Sequence, residues 1–141
     1  MGSMPRRRSR TTGPSVPADC PCGSGRTYTE CCGPLHADTS RASTAEQLMR
    51  SRYSAFAVGD LVHLRRTWHP RTCPPDLQPD TATTWTGLEI LAASEGTPFH
   101  REGTVEFVAH YRDASGPGRM REHSRFVRHE GAWVYLEALT D

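Results

Sequence analysis

Four of the chain's five cysteines lie within 13 residues, as Cys20-Pro21-Cys22, eight intervening residues, then Cys31-Cys32. Adjacent cysteines seldom pair with one another, because disulfide geometry fixes both Cα separation and Cβ direction. No apolar leader stands near the start of the chain, so a reducing, cytoplasmic setting is the default, and disulfides are disfavoured there. A tetrahedral four-thiolate metal site needs two short chelating pairs folded together by a turn. This stretch supplies both pairs. Gly23-Ser24-Gly25 supplies a turn that tolerates positive φ. Thr27-x-x-Glu30 has the capping-box pattern, so a short helix is expected to begin near Tyr28. It would carry Cys31 and Cys32 in its last turn and stop at Gly33-Pro34. Backbone N–H groups at a helix start beside sulfur favour the thiolate form. Zinc is the first expectation for such a site, and iron is the alternative, since thiolate sets bind both. With four protein ligands no coordination position stays open, so the metal would be structural.

The rest of the chain must supply its own core. At 141 residues it suits one ordinary domain and a small appendage. No apolar run approaches the roughly 18 residues of a spanning helix, so no membrane span is expected. Four of the 17 basic residues, Arg6, Arg7, Arg8 and Arg10, fall in the first ten positions, leaving 13 basic against 16 acidic, or −3. A mildly acidic domain argues against a broad nucleic-acid face. Residues 1–18 read as a disordered, solvated basic tail, with Met1-Gly2-Ser3 resembling a cloning remnant.

Residues 37–43 read as a linker. A helix follows, capped by Ser43-x-x-Glu46 or Thr44-x-x-Gln47, with Leu48, Met49, Tyr53 and Phe56 near a helical period and Gly59 at its end. Asp60 starts a second helix that places Leu61, Leu64 and Trp68 on one face and closes at Pro70. Residues 70–84 hold four prolines and form a loop, with Cys73 as a free thiol. Leu88–Ala93 reads as a short buried strand. Thr104–Arg112 alternates, with Val105, Phe107, Ala109 and Tyr111 on one face. Asp113–Gly118 reads as a turn, Arg119–His129 as a strand and Trp133–Leu139 as the last strand. Helices first, then strands joined by short turns, give α+β with an antiparallel sheet covered by helices on one face.

The pattern C-x-C-G-S-G-x-x-x-x-x-C-C resembles the SEC-C metal-binding motif. That resemblance implies Cys20, Cys22, Cys31 and Cys32 as the ligands, with His36 outside the set. Beyond it, residues 49–56, Thr67-Trp68-His69-Pro70, residues 103–109 and Glu122-x-Ser124-Arg125-Phe126-Val127 resemble the YchJ-like proteins. Together the two cover about residues 19–139. They imply a SEC-C motif at 19–36 and a nuclear-transport-factor-2-like, cystatin-like cone at 43–141. A protein partner is expected at the knuckle, and proteins of the fold that the chain resembles often dimerise through the sheet, which allows a homodimer.

A cone of that kind has room for a small ligand. The pocket candidates are Tyr53, Trp68, Trp85, Glu106, Glu122 and Ser124, with His69 and His123 as weaker ones. If Phe126 points inward, period two carries Ser124 and Glu122 inward with it. A buried carboxylate titrates high and serves as a general base or acid. The alternative is that each Glu pairs with Arg52, Arg121 or Arg125. Two functions follow. One is a zinc-knuckle adaptor on a scaffold that folds without the metal. The other is an enzyme using Glu106 or Glu122 for proton transfer, which requires an open cavity and an unpaired carboxylate.

Overall fold

The computed structural model describes residues 18–139. The basic tail therefore lies outside the described residues, save for Ala18. The elements are a 3-10 turn Tyr28–Glu30, α1 Cys32–His36, α2 Ala45–Val58, α3 Leu61–Arg66, β1 Thr84–Glu95, β2 Glu102–Asp113, β3 Gly116–His129 and β4 Ala132–Ala138. Short connections between strands permit only antiparallel pairing. The sheet accordingly runs β1-β2-β3-β4 with each strand beside its sequence neighbour.

Local chemistry sets the helix ends. Thr44 Oγ1 accepts from the Gln47 backbone N–H, and Gln47 Oε1 accepts from the Ser43 N–H at 2.7 Å. The chain leaves α2 through Gly59 at φ 80°, a left-handed conformation that glycine adopts without strain. Asp60 then caps α3 by accepting from the His63 N–H.

One face of α2 lies on the sheet. Val105, Phe107 and Ala109 of β2 and Phe126 of β3 are at most 3% exposed and meet Leu48, Met49 and Tyr53 there. Cys20, Cys22 and Cys32 belong to the same buried cluster. The knuckle and the α+β domain thus share one core. The expectation that the larger domain has a separate core does not describe this arrangement.

The elements depart from the sequence reading in four places. Leu88–Ala93 is the middle of a 12-residue edge strand with no buried residue in it. Its register slips beside Thr86 and Leu91, and such bulges bend a strand. The expected turn at 113–118 shrinks to Ala114-Ser115, because Gly116 to Gly118 already pair with Asp113 to Tyr111. Trp68 lies beyond α3, where it bridges to Tyr135 of β4. The helix start expected near Tyr28 is only a single 3-10 turn. It breaks at Cys31, and Gly33-Pro34 falls inside α1 rather than ending a helix. Proline is tolerated in a first helical turn because its missing N–H has no partner there.

The outward face of the sheet is polar. Arg121 pairs with Glu106, His110 with Glu89, and Arg125 with both Glu102 and Glu137.

Candidate functional site

The knuckle is built by local backbone pairing. Cys20 N–H donates to Arg26 O at 3.0 Å, Tyr28 N–H donates to Ala18 O at 3.1 Å, and Asp19 bridges Thr27. The tight reversal between them uses Gly23 at φ 79° and Gly25 at φ 86°. It holds Cys20 and Cys22 facing Cys31 and Cys32. All four Sγ atoms lie within 4.8 Å of one another.

This spacing fits a tetrahedral ion. Metal–sulfur bonds of about 2.3 Å place the four sulfurs about 3.8 Å apart. Cys22 and Cys31 Sγ are 3.7 Å apart, and Cys31 and Cys32 Sγ are 4.0 Å apart. Cys20, Cys22 and Cys32 are buried, and Cys31 is half-buried. Cys73 stands outside the cluster as a free thiol.

Side chains from outside the motif complete the surroundings. Ser54 of α2 donates to Cys32 Sγ at 3.3 Å and lies 3.5 Å from Cys20 Sγ. Ser24 Oγ lies 3.2 Å from Cys31 Sγ. Arg50 clamps the loop by donating to Cys22 O at 2.8 Å. His36 is not a ligand. Its Nδ1 meets Tyr28 OH at 2.6 Å, and its Nε2 donates to Ser51 O at 2.8 Å. Hydrogen bonds of this kind orient thiolates and spread their charge.

Proton affinity within the metal-free cluster is uneven. Cys22 is pulled down, chiefly by interaction with the Cys32 thiol, with burial opposing. Cys32 is pushed up as the partner that keeps the proton, and burial adds to this. Burial also raises Cys31.

A second site lies between α2 and the sheet, as a cavity of about 270 Å³. Tyr53, Trp68, Trp85, Glu122 and Ser124 all line it. Glu106 does not. In the β2–β3 register Phe107 faces Glu122, while Glu106 faces His123, so Glu106 and His123 turn to the opposite side of the sheet. Glu106 there accepts from Arg121 Nε at 2.9 Å and is a paired surface residue, which removes it from the pocket set. His69 also lies outside the lining. It follows α3 by three residues, and its Nδ1 accepts from the Arg71 N–H.

Glu122 is held without an arginine in contact. Its Oε2 accepts from Ser124 Oγ at 2.6 Å and from Tyr135 OH at 3.0 Å. Oε1 receives no hydrogen bond among the described residues. Burial, with the neighbouring carboxylate, keeps Tyr135 protonated by raising its pKa.

Arg52 and Tyr135 also line this cavity; the sequence reading named Arg52 only as an ion-pair partner for a glutamate and did not name Tyr135. Arg52 is 4% exposed, and Nη1 donates to Leu64 O at 2.9 Å and Thr67 Oγ1 at 2.8 Å. Its guanidinium carbon sits 4.8 Å from the Trp68 ring centre and 4.9 Å from that of Tyr135. Burial lowers its pKa to about 10. One sequence signal marked it: Arg52 stands four after Leu48 and three after Met49, inside the apolar stripe of α2. The indole Nε1 of Trp68 is buried with no hydrogen-bond partner.

Among the described residues no helix is long and apolar enough to cross a membrane. Residues 44–138 match the family profile described as YchJ, middle NTF2-like domain, and residues 18–34 match the SEC-C motif. A UPF0225 protein of Streptomyces coelicolor is 53% identical over 118 residues, spanning 84% of this chain and 92% of that protein. A UPF0225 protein of Deinococcus radiodurans is 48% identical, spanning 92% of this chain and 98% of that protein. The solution structure of a SEC-C motif containing protein from Rhodopseudomonas palustris superposes with a TM-score of 0.76 at 35% identity, covering 86% of this chain and 98% of that one. The crystal structure of a SEC-C motif containing protein from Psychrobacter arcticus gives 0.66 at 26% identity, covering 86% and 83%. With one profile spanning the helices and the sheet and the other spanning the cysteine hairpin, the chain belongs to the YchJ-like family of NTF2-like domains preceded by a SEC-C motif.

Proposed function

We propose that this protein is a zinc-stabilised binding module whose working site is the cone. Cys20, Cys22, Cys31 and Cys32 would hold the zinc, which neutralises the thiolates and ties the two cysteine pairs together. The sulfur spacing and the four-cysteine donor set support zinc in a structural role. A protein partner at the knuckle would meet its exposed rim, Gly23 to Arg26, since the cysteines behind it are mostly buried.

The observation that carries the reading is the state of Glu122. It lines an open cavity and is pinned by Ser124 and Tyr135, with no ion pair to satisfy it. A carboxylate with purely structural duty is ordinarily paired. A small apolar probe tests the site. Benzyl alcohol at millimolar concentration is expected to shift the Trp85 indole signal saturably in ¹H–¹⁵N spectra. Ala109 lines the cavity and is 2% exposed, so Ala109→Leu fills space there and is expected to weaken this binding about tenfold or more. Shifts that stay linear, or that survive Ala109→Leu unchanged, would refute the reading.

The free Oε1 of Glu122 favours a second reading, proton transfer on a small carbon acid. That reading expects the α-hydrogens of phenylacetone to exchange in D₂O faster with wild-type protein than with Glu122→Gln. Equal rates, followed by proton NMR, would remove it.

A further inference from the structure

Two opposite charges face one small cavity without meeting each other. Arg52 has spent Nη1 on Leu64 O and Thr67 Oγ1, and the Trp68 and Tyr135 rings, themselves in edge contact at 5.4 Å, both pack beside its guanidinium. What remains is an edge: Nε and Nη2 have no acceptor among the described residues. Glu122 has spent Oε2 on Ser124 and Tyr135, and Oε1 remains. No ion pair joins Arg52 to Glu122 within 4 Å, the salt-bridge distance, although both line the cavity. The wall thus offers unspent donors beside an unspent acceptor.

Around this polar edge the lining is apolar and largely aromatic: Met49, Tyr53, Phe56, Trp85 and Phe107. The volume of about 270 Å³ falls below the roughly 300–1,000 Å³ of pockets for drug-sized ligands. A flat ring suits that shape.

We propose that the cone binds a small, flat, uncharged molecule with an amide-like edge, its acceptor meeting Arg52 and its donor meeting Glu122. A lone carboxylate on the ligand gains Arg52 but is set against Glu122. A lone ammonium gains Glu122 but is set against Arg52. A neutral edge carrying both an acceptor and a donor satisfies both residues without bringing a new charge into apolar surroundings. A site of paired donors and acceptors rejects analogues that leave its own polar groups unpaired. This rests on the reading of the cone as a ligand site, and it names the ligand's chemical class.

Four matched probes separate the two ideas: benzamide, benzoate, benzylammonium and toluene, each titrated into the zinc-loaded protein and followed by the Trp68 and Trp85 indole signals. Benzamide is expected to bind at least about tenfold more tightly than the other three. Glu122→Gln and Arg52→Met are each expected to erase most of that preference while toluene still binds. Glu122→Gln keeps the shape of the side chain, so the test survives if Arg52→Met fails to fold. Toluene binding as tightly as benzamide would overturn the amide-edge proposal and leave the cone reading standing. Tighter binding of benzoate or benzylammonium would overturn it in the same way. No binding by any probe would overturn both.

Discussion

A Cys22→Ser protein is expected to lose its metal and most of its tertiary structure together, with Tm falling by more than about 15 °C. Structural zinc contributes apparent binding free energies of about 10–16 kcal/mol in small Cys-rich units, which matches or exceeds the whole stability of an ordinary domain, about 5–15 kcal/mol. In a detachable knuckle that loss would stay local. Here it does not, because Cys20, Cys22 and Cys32 pack in the same cluster as Leu48, Met49, Tyr53, Phe107 and Phe126. Removing the ion leaves several thiols crowded in that core beside Ser54. For a chain of this size about 4 °C of Tm accompanies each kcal/mol, so even a 4 kcal/mol loss is readily seen. Calorimetry of zinc-loaded wild type and Cys22→Ser, with elemental analysis of both, measures the effect. A Tm within about 3 °C of wild type, or a full equivalent of metal retained at wild-type affinity, would sink both the ligand assignment and the shared core.

The second large effect is acid sensitivity from His63. This histidine is 2% exposed and held in one neutral tautomer. Arg66 Nη2 donates to Nδ1 at 3.0 Å, so the ring proton lies on Nε2 and is donated to Ser51 Oγ at 2.9 Å. Ser51 in turn donates to Leu48 O at 2.8 Å. A second ring proton would have to point at the Arg66 guanidinium. The His36 ring, 4.6 Å away, and buried Arg52 add to the opposition. Burial first, then these positive neighbours, depress the His63 pKa from 6.5 to about 3.

Because the folded value lies below the unfolded one, the unfolded chain binds the proton first as pH falls. The stabilisation is fully present above pH 6.5 and declines from there down to about pH 3. At 1.36 kcal/mol per unit the loss is about 2 kcal/mol by pH 5 and about 4 kcal/mol by pH 3. Urea unfolding of zinc-saturated wild type and His63→Gln at pH 7 and pH 5 isolates this contribution. The advantage of wild type over the variant is expected to shrink by about 2 kcal/mol between the two pH values. Parallel losses in the two proteins would show that His63 does not titrate as described.

The residues legible from sequence are those whose role is set within a few positions. The sulfurs converge because a hairpin of nine residues from Cys20 to Tyr28, with two left-handed glycines, leaves little else for them to do. Thr44, Gly59 and Asp60 mark helix ends because a cap is a contact with the next turn of backbone. Val105, Phe107 and Ala109 alternate because a strand puts every second side chain on one face. Glu122 and Ser124 followed Phe126 inward by the same rule.

Glu106 obeys the same rule in the opposite sense, and alternation alone puts it on the outer face. Alternation within β2 separates Glu106 from Phe107, but which of β3's residues stands opposite is a matter of register, fixed by the turn at Ala114-Ser115. The turn proved shorter than its glycines and proline suggested, and Glu106 came to rest opposite His123, beside Arg121 on the outer face. The break at Cys31 was equally hidden, since the capping pattern at Thr27 describes how a helix begins and not how soon it ends. Thr27 Oγ1 instead meets the Glu30 side chain at 3.1 Å.

By itself, then, the sequence determined the four-cysteine cluster, both ends of α2, the inward faces of β2 and β3 and the family to which all of them belong. These are short-range properties, carried by spacing, capping and period. Only the tertiary structure decided that Arg52 and His63 are buried, that Glu122 meets Tyr135 rather than an arginine, and that the cysteines share the domain's core. Each of those facts depends on which surfaces close over α2. Its polar residues are buried only because the sheet, α1 and α3 cover it from several sides at once.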